Sequence, residues 1–306
     1  MKVPEQARRV NWARTGRGKS LVSVCIPSYN ASRYIGETIQ SVLDSTHSNL
    51  EIIVNDNAST DSTRDIVKAF GDKRVHFFQN ESNLGPARNW NCALEKATGE
   101  LVGLLYSDDM YGPFWLTWAV HVLEKHPHVG WVGTAFGVIN DKGETFRVES
   151  RFAETREYSR SEAFLCAAQL NGLGPGIIIR REILEKVGYF DEEAGVSADN
   201  DLLLRLAARY PLYYSNYPHT ACRLHSDSVS HRWGVFEQIA EGLRHLNKAF
   251  SDEALPEDLR KHQRDCYTYF YHKVLAKVVK LLEQGDLETV QRLFGLLYTH
   301  GYRVEQ

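Results

Sequence analysis

Leu101-Val102-Gly103-Leu104-Leu105-Tyr106-Ser107-Asp108-Asp109 is the stretch whose reading decides the fold. An apolar run without alternation is what a strand buried on both faces requires, and such strands belong to parallel sheets covered by helices. Two adjacent carboxylates follow it at once. Like charges at that spacing repel, and each is stabilised by a nearby cation. A divalent ion with oxygen ligands satisfies both, and phosphate oxygens can complete its shell. The competing use of Asp109 is as a helix N-cap ahead of Met110-Tyr111-Gly112-Pro113.

Upstream, the same pattern repeats. Leu21 to Ile26, Glu51 to Val54 and Arg74 to Phe78 read as strands, and Tyr34 to Leu43, a segment entered through Ser59, Thr60 and Asp61, and Pro86 to Ala97 read as helices. Strands alternating with helices over about 90 residues predict βαβ units and a mainly parallel sheet flanked by helices, an α/β fold. Ligands of such sheets bind outside the carboxyl ends of the strands. The residues there are Pro27-Ser28-Tyr29-Asn30, Asn55-Asp56-Asn57, Gln79-Asn80 and Ser107-Asp108-Asp109, which are polar and acid-bearing. Downstream, a helix over Phe114 to Lys125, strands over 130–139, 174–180, 212–217 and 220–224, and helices over 182–187 and 199–208 are expected.

Composition sets the outer bounds. The chain has 306 residues, 43% hydrophobic and 25% charged, with net charge -3. These are the values of an ordinary soluble protein, and they exclude a disordered chain and a whole-chain nucleic-acid binder. Five scattered cysteines without C-x-x-C, and an N-terminus without an apolar signal region, point to a cytoplasmic protein. Residues 1–20 form a basic leader of net +5. It is either a solvated tail or a contact with anionic lipid. Gly16 to Ser20 imitates the end of a P-loop, but Ala13 stands where glycine is needed and no strand precedes it.

The motifs after the strands, taken in order, carry a resemblance. Pro27-Ser28-Tyr29-Asn30, Asn55 to Asp61, Asn83 to Asn89, Ser107-Asp108-Asp109, Arg180 to Asp191, Ala198-Asp199-Asn200-Asp201 with Leu202 to Arg205, and Arg223-Leu224-His225 with Ser228 and Ser230 resemble the inverting glycosyltransferase family 2 over residues 20–232. The resemblance implies a GT-A fold of Rossmann type. It implies a donor that is a nucleotide-diphosphate sugar, and a saccharide or lipid-linked acceptor whose hydroxyl receives the sugar in surface polysaccharide or glycolipid assembly. Mg²⁺ or Mn²⁺ is the expected cofactor, held by Asp109 and His225, with Asp108 against the nucleotide-sugar. Asp199 takes the place of the catalytic base. Pro27, Ser28, Tyr29, Asn30, Asp56 and Arg88 line the nucleotide-sugar site, Tyr29 stacking on the base. Asp56 as an ionised carboxylate only accepts hydrogen bonds, and uracil, thymine and guanine present a ring N–H, so UDP, dTDP and GDP all fit. A non-catalytic nucleotide-sugar-binding protein on the same fold is the alternative.

Three departures stand out. Tyr106 replaces an acid that commonly precedes the pair, and Ala198 replaces the glutamate before the base, which puts the tuning of Asp199 in question. The Gln-x-x-Arg-Trp element and the membrane helices of processive members are missing, so a non-processive enzyme is expected. The expected organisation is a leader over 1–20, a catalytic domain over 21–232 with a nucleotide-binding half (21–110) and an acceptor half (111–232), and a helical C-terminal region over 233–306. In that last region Val274, Leu275, Val278, Val279, Leu281 and Leu282 interleave with Lys273, Lys277 and Lys280. Packing on the catalytic domain, a homodimer contact and a peripheral membrane contact at the inner face all remain open for it.

Overall fold

The computed structural model describes residues 18–169, 174–225 and 234–299. Most of the basic leader, together with Ser228, Ser230 and His231-Arg232-Trp233, lies outside the described residues. The first half runs β1 (Val22–Ser28), α1 (Ile35–Leu43), β2 (Leu50–Asp56), α2 (Thr63–Ala69), β3 (Val75–Gln79), α3 (Pro86–Leu94) and β4 (Leu101–Leu104). The second half adds β5 (Met110–Tyr111), α4 (Trp115–Lys125), β6 (Trp131–Ile139), β7 (Thr145–Glu149), β8 (Arg156–Tyr158), α5 (Arg160–Ala168), β9 (Ile177–Arg180) and α6 (Arg181–Val187). A 3-10 turn (Gly195–Ser197), α7 (Ala198–Ala207) and β10 (Leu212–Arg223) complete it.

Among the described residues the strands form one sheet in the order β3-β2-β1-β4-β9-β6-β10-β5, with β7 on β6 and β8 on β10. β3, β2, β1 and β4 are parallel, as are β6 and β10, while β9 runs antiparallel between β4 and β6. Alternation along β1 sends Val22, Val24 and Ile26 to the face covered by α1 and α4, and Cys25 to the opposite face. β1 and β6 are buried throughout, which explains their unbroken apolar sequences. The two strands expected over 212–224 are one, β10. Its register to β6 shifts around Pro218, which has no N–H to donate to the ladder.

The C-terminal helices α8 (Val235–Ser251), α9 (Glu257–Arg260), α10 (Gln263–Glu283) and α11 (Leu287–Thr299) join the core that α3, α5 and α7 make on one face of the sheet. Phe250 meets Phe164 edge to face at 5.8 Å, and Lys273 Nζ donates to the Gln169 carbonyl at 2.8 Å. Leu246 and Val274 are buried inward, while Val279, Leu282, Leu287, Phe294 and Tyr298 remain exposed. No helix among the described residues is long and apolar enough to cross a membrane.

Candidate active site

The carboxyl ends of β1, β2 and β4 and the end of β10 meet along one edge of the sheet. Ser28 and Asp56 are register partners there. Ser28 Oγ donates to Asp56 Oδ1 at 3.3 Å, Ser59 N and Gln79 Nε2 donate to Oδ2 at 2.9 and 3.0 Å, and Ser59 Oγ also donates to Oδ1. The buried carboxylate of Asp56 thus has four donors, one for each acceptor direction. A ring N–H reaches it only by displacing one of them. Gln79, an exposed side chain on the edge strand, is the one free to swing.

Of the residues expected to cap α2, Asp61 accepts Thr63 N at 3.0 Å at the start of the helix, and all three also lace the neighbouring loops. Ser59 Oγ accepts from Asn30 N at 2.8 Å, Asn30 Oδ1 accepts from Thr60 N at 2.9 Å, and Asp61 accepts from Ser32 N at 3.0 Å. Asn30 sits at φ 48°, a left-handed conformation that asparagine tolerates better than other side chains. Pro27 is held between β2 and the core, and Tyr29, 51% exposed, stands clear at the mouth. Behind this loop pair is a network of amides. Asn55 Nδ2 donates to Asn89 Oδ1 at 2.8 Å, Asn80 Nδ2 donates to Asn57 Oδ1 at 2.9 Å, and Asn57 Oδ1 also receives Leu84 N. Arg88 is turned elsewhere. Its guanidinium pairs through Nη1 with Glu95 at 2.8 Å and Glu192 at 3.3 Å.

Asp109 is 2% exposed, and its Oδ1 accepts Arg223 N at 2.8 Å. Burial, and then the charge of Asp108, push its carboxyl well above the ordinary range. Asp108 faces His225, with Oδ2 and Nε2 2.9 Å apart. Asp109 and His225 are the residues expected to hold the metal, and in the structure the imidazole meets the neighbouring carboxylate, Asp108. Arg223 braces the whole group. Its side chain is fully buried, lies 4.4 Å over the Tyr34 ring, donates to the carbonyls of Asp108, Asn140 and Asp141, and pairs with Glu37 at 2.7 Å. Asp108 and His225 offer an oxygen and a nitrogen of the kinds a divalent ion takes, with the Asp109 carboxyl on the next residue, although here Asp108 Oδ2 and His225 Nε2 hydrogen-bond each other.

Asp199 lies in the first turn of α7. It lines an apolar pocket with Leu104, Tyr106, Phe190, Leu202 and Leu203. A helix N-terminus lowers a carboxyl pKa. Burial overrides that here and pushes Asp199 up to about 6, against the lowering effect of the backbone N–H bonds it accepts from Asn200 and its own amide. It is therefore ionised at neutral pH, yet a better base than an exposed aspartate. Tyr106 lines the same pocket as Asp199 and stands two residues before Asp108 in the chain. Burial raises its hydroxyl well above 10.0, and the charges of Asp199, Asp109 and Asp108 add to the effect. Asp201 is used differently. Its carboxylate is closed by Arg205 at 2.8 Å and Lys248 at 2.8 Å.

Fold and site together define a GT-A type scaffold, with a polar strand edge around Asp56, an acidic pair and a separate buried carboxylate. The chain belongs to glycosyl transferase family 2, whose sequence pattern matches residues 23–188. It is 48% identical over 95 residues, 30% of this chain and 38% of the relative, to a Bacillus subtilis protein provisionally named teichuronic acid biosynthesis glycosyltransferase TuaG. An uncharacterized glycosyltransferase of Rickettsia felis is 26% identical over 81% of this chain and 41% of its own length. The chain thus spans about two fifths of the length of these relatives. Residues 1–349 of S. aureus TarS with UDP-GlcNAc align with a TM-score of 0.71 at 20% identity, over 91% of this chain and 80% of that one. The mannosyltransferase PcManGT from Pyrobaculum calidifontis, with GDP-Man and Mn²⁺, aligns with a TM-score of 0.59 at 19% identity, over 98% and 82%. At these identities the likeness is one of fold.

Proposed function

We propose that the chain is an inverting, metal-dependent glycosyltransferase that moves a sugar from a UDP, dTDP or GDP sugar to an acceptor hydroxyl, in assembly of a surface polysaccharide or glycolipid. The observation that carries this reading is that Tyr106 and Asp199 line one pocket, while Asp108, two residues after Tyr106, meets His225 at 2.9 Å. A base on one side and a cation site on the other flank a single position, where an anomeric carbon could sit. Mg²⁺ or Mn²⁺ would be held by Asp108 and His225 with the charge of Asp109 beside them, and when bound it neutralises the departing diphosphate.

The chain's own residues do the rest. Asp199 takes the proton of the acceptor hydroxyl as that oxygen bonds to the anomeric carbon. The bond from that carbon to the diphosphate oxygen breaks on the opposite face, so configuration inverts. Pro27, Ser28 and Asn30 shape the nucleotide pocket, Tyr29 stacks on the base, and Asp56 accepts its ring N–H once Gln79 swings away. Arg88 joins the site through the guanidinium N–H groups that Glu95 and Glu192 do not hold. Residues 21–110 then serve the donor and 111–232 the acceptor, and the exposed apolar row of α10 and α11 suits contact with a lipid-borne acceptor's membrane or with a second copy.

A thermal-shift screen with Mn²⁺ tests the donor reading. UDP, dTDP or GDP sugars are expected to raise the melting temperature, and ADP and CMP sugars to leave it unchanged. Asp56→Asn should weaken nucleotide binding by about 1.5–3 kcal/mol in calorimetry, the range for a hydrogen bond to a charged group. Unchanged affinity would remove Asp56 from the base pocket.

A further inference from the structure

The turn that leads into the base helix is gripped by α8. Glu241 Oε2 accepts Ser197 Oγ at 2.6 Å and Ser197 N at 3.2 Å, and Ser197 Oγ lies 2.9 Å from His245 Nε2. Ser197 has one hydroxyl proton, and its short bond to Glu241 uses it. His245 must therefore donate from Nε2, which fixes a relay from His245 through Ser197 to Glu241. Both α8 side chains are buried, Glu241 at 8% and His245 at 2% exposure. The fit leaves no spare room. Gly195 has φ 68°, and a Cβ there would collide with the Glu241 carboxylate.

A buried carboxylate is costly without a use. Its surroundings supply one. Ser197 is the N-cap of α7, but its side chain makes no capping bond to its own helix. Glu241 occupies that helix terminus, two residues before Asp199, whose preceding neighbour is the buried, uncharged Ala198. We propose that Glu241, held by Ser197 and His245, is the positioning residue of Asp199, setting the orientation of its turn and strengthening it as a base through like charge. The proposal rests on Asp199 being the base.

Among the charges around Asp199, Glu241 is the acid whose charge is offset least. Asp201 and Arg205 pair on its own helix, and Lys248 closes on Asp191 and Asp201. Arg88 and Glu192 pair beside α3, and Tyr106 stays neutral. His245 is kept neutral because burial lowers its pKa. Arg244, half exposed, is 3.6 Å from Glu241 and only partly offsets it. α5 and α6 pack on this region through Ala163, Phe164, Ala167, Ile183 and Leu184. Glu241 is among the influences that raise Asp199.

The test is the pH dependence of transfer, with the Asp199 carboxyl titrated separately by carbon-13 NMR and assigned by its loss in Asp199→Asn. Without the charge of Glu241 the ionised form of Asp199 is less disfavoured, so its pKa falls. Glu241→Gln should move the acid limb and the NMR midpoint down by several tenths of a pH unit or more and lower the plateau rate, with donor affinity intact. Ser197→Ala, which keeps the charge and removes its anchor, should move both in the same direction by less. It also covers the case in which Glu241→Gln does not fold. An Asp199 midpoint that stays put in these variants overturns the proposal, even if the rate falls. Retained turnover in Asp199→Asn would instead overturn the base assignment, while the NMR midpoints still report whether Glu241 acts on Asp199.

Discussion

Asp199→Asn is expected to lower turnover by ~10²–10⁴-fold while leaving donor affinity unchanged, the usual cost of removing a positioned base. The reason is spatial. Asp199 faces an apolar pocket that holds its pKa up to about 6, and it lies apart from the residues that gather around Asp56. Its loss removes the proposed proton acceptor without touching the cluster around Asp56. Asp201→Asn gives the contrast. That carboxylate is closed by Arg205 and Lys248, and Arg205 in turn caps the carbonyls of Val187, Gly188 and Tyr189. Its replacement should cost about 1.5–3 kcal/mol of stability and far less turnover. Steady-state transfer, calorimetric donor affinity and denaturation midpoints separate the two. A dead Asp201→Asn beside an active Asp199→Asn would shift the base by two residues.

Asp109→Asn, and separately a chelator, should each abolish transfer. A cation on the diphosphate contributes several kcal/mol of transition-state stabilisation, a loss of ~10³-fold or more. The amide keeps an acceptor for Arg223 N and removes a buried charge, so the fold should survive. Added Mn²⁺ should restore the chelated wild type and fail to restore Asp109→Asn. Full activity in the chelator would remove the metal from the mechanism.

The parallel half of the sheet was legible because βαβ units write themselves as local apolar runs between helical periods, and the acid-bearing strand ends sit where such sheets bind ligands. The second half was less so. Thr145–Glu149 is an exposed edge strand with little apolar content, and Arg156–Tyr158 is too short to show a period. α5 carries a start signal in its capping box of Ser159 and Glu162, but no long apolar run or strong helical period marks the rest of it. In the site, Asp108, Asp109, Asp56 and Asp199 were singled out from the sequence, but their engagements were not. Four donors on Asp56, the turn of His225 toward Asp108 and the diversion of Arg88 to Glu95 and Glu192 are side-chain choices that spacing does not encode. Glu241 could not have been found that way. It lies 44 positions from Ser197, and only the docking of α8 brings them together.

In the proposed mechanism, transfer is a single displacement at the anomeric carbon, with Asp199 taking the acceptor's proton and the diphosphate leaving from the opposite face. The most direct measurement is the anomeric configuration of the product, read by proton NMR from the donor that the thermal-shift screen identifies. An α-linked donor giving a β-linked product is the predicted result. A product that retains the donor's configuration would contradict the mechanism, whatever the effects of individual substitutions.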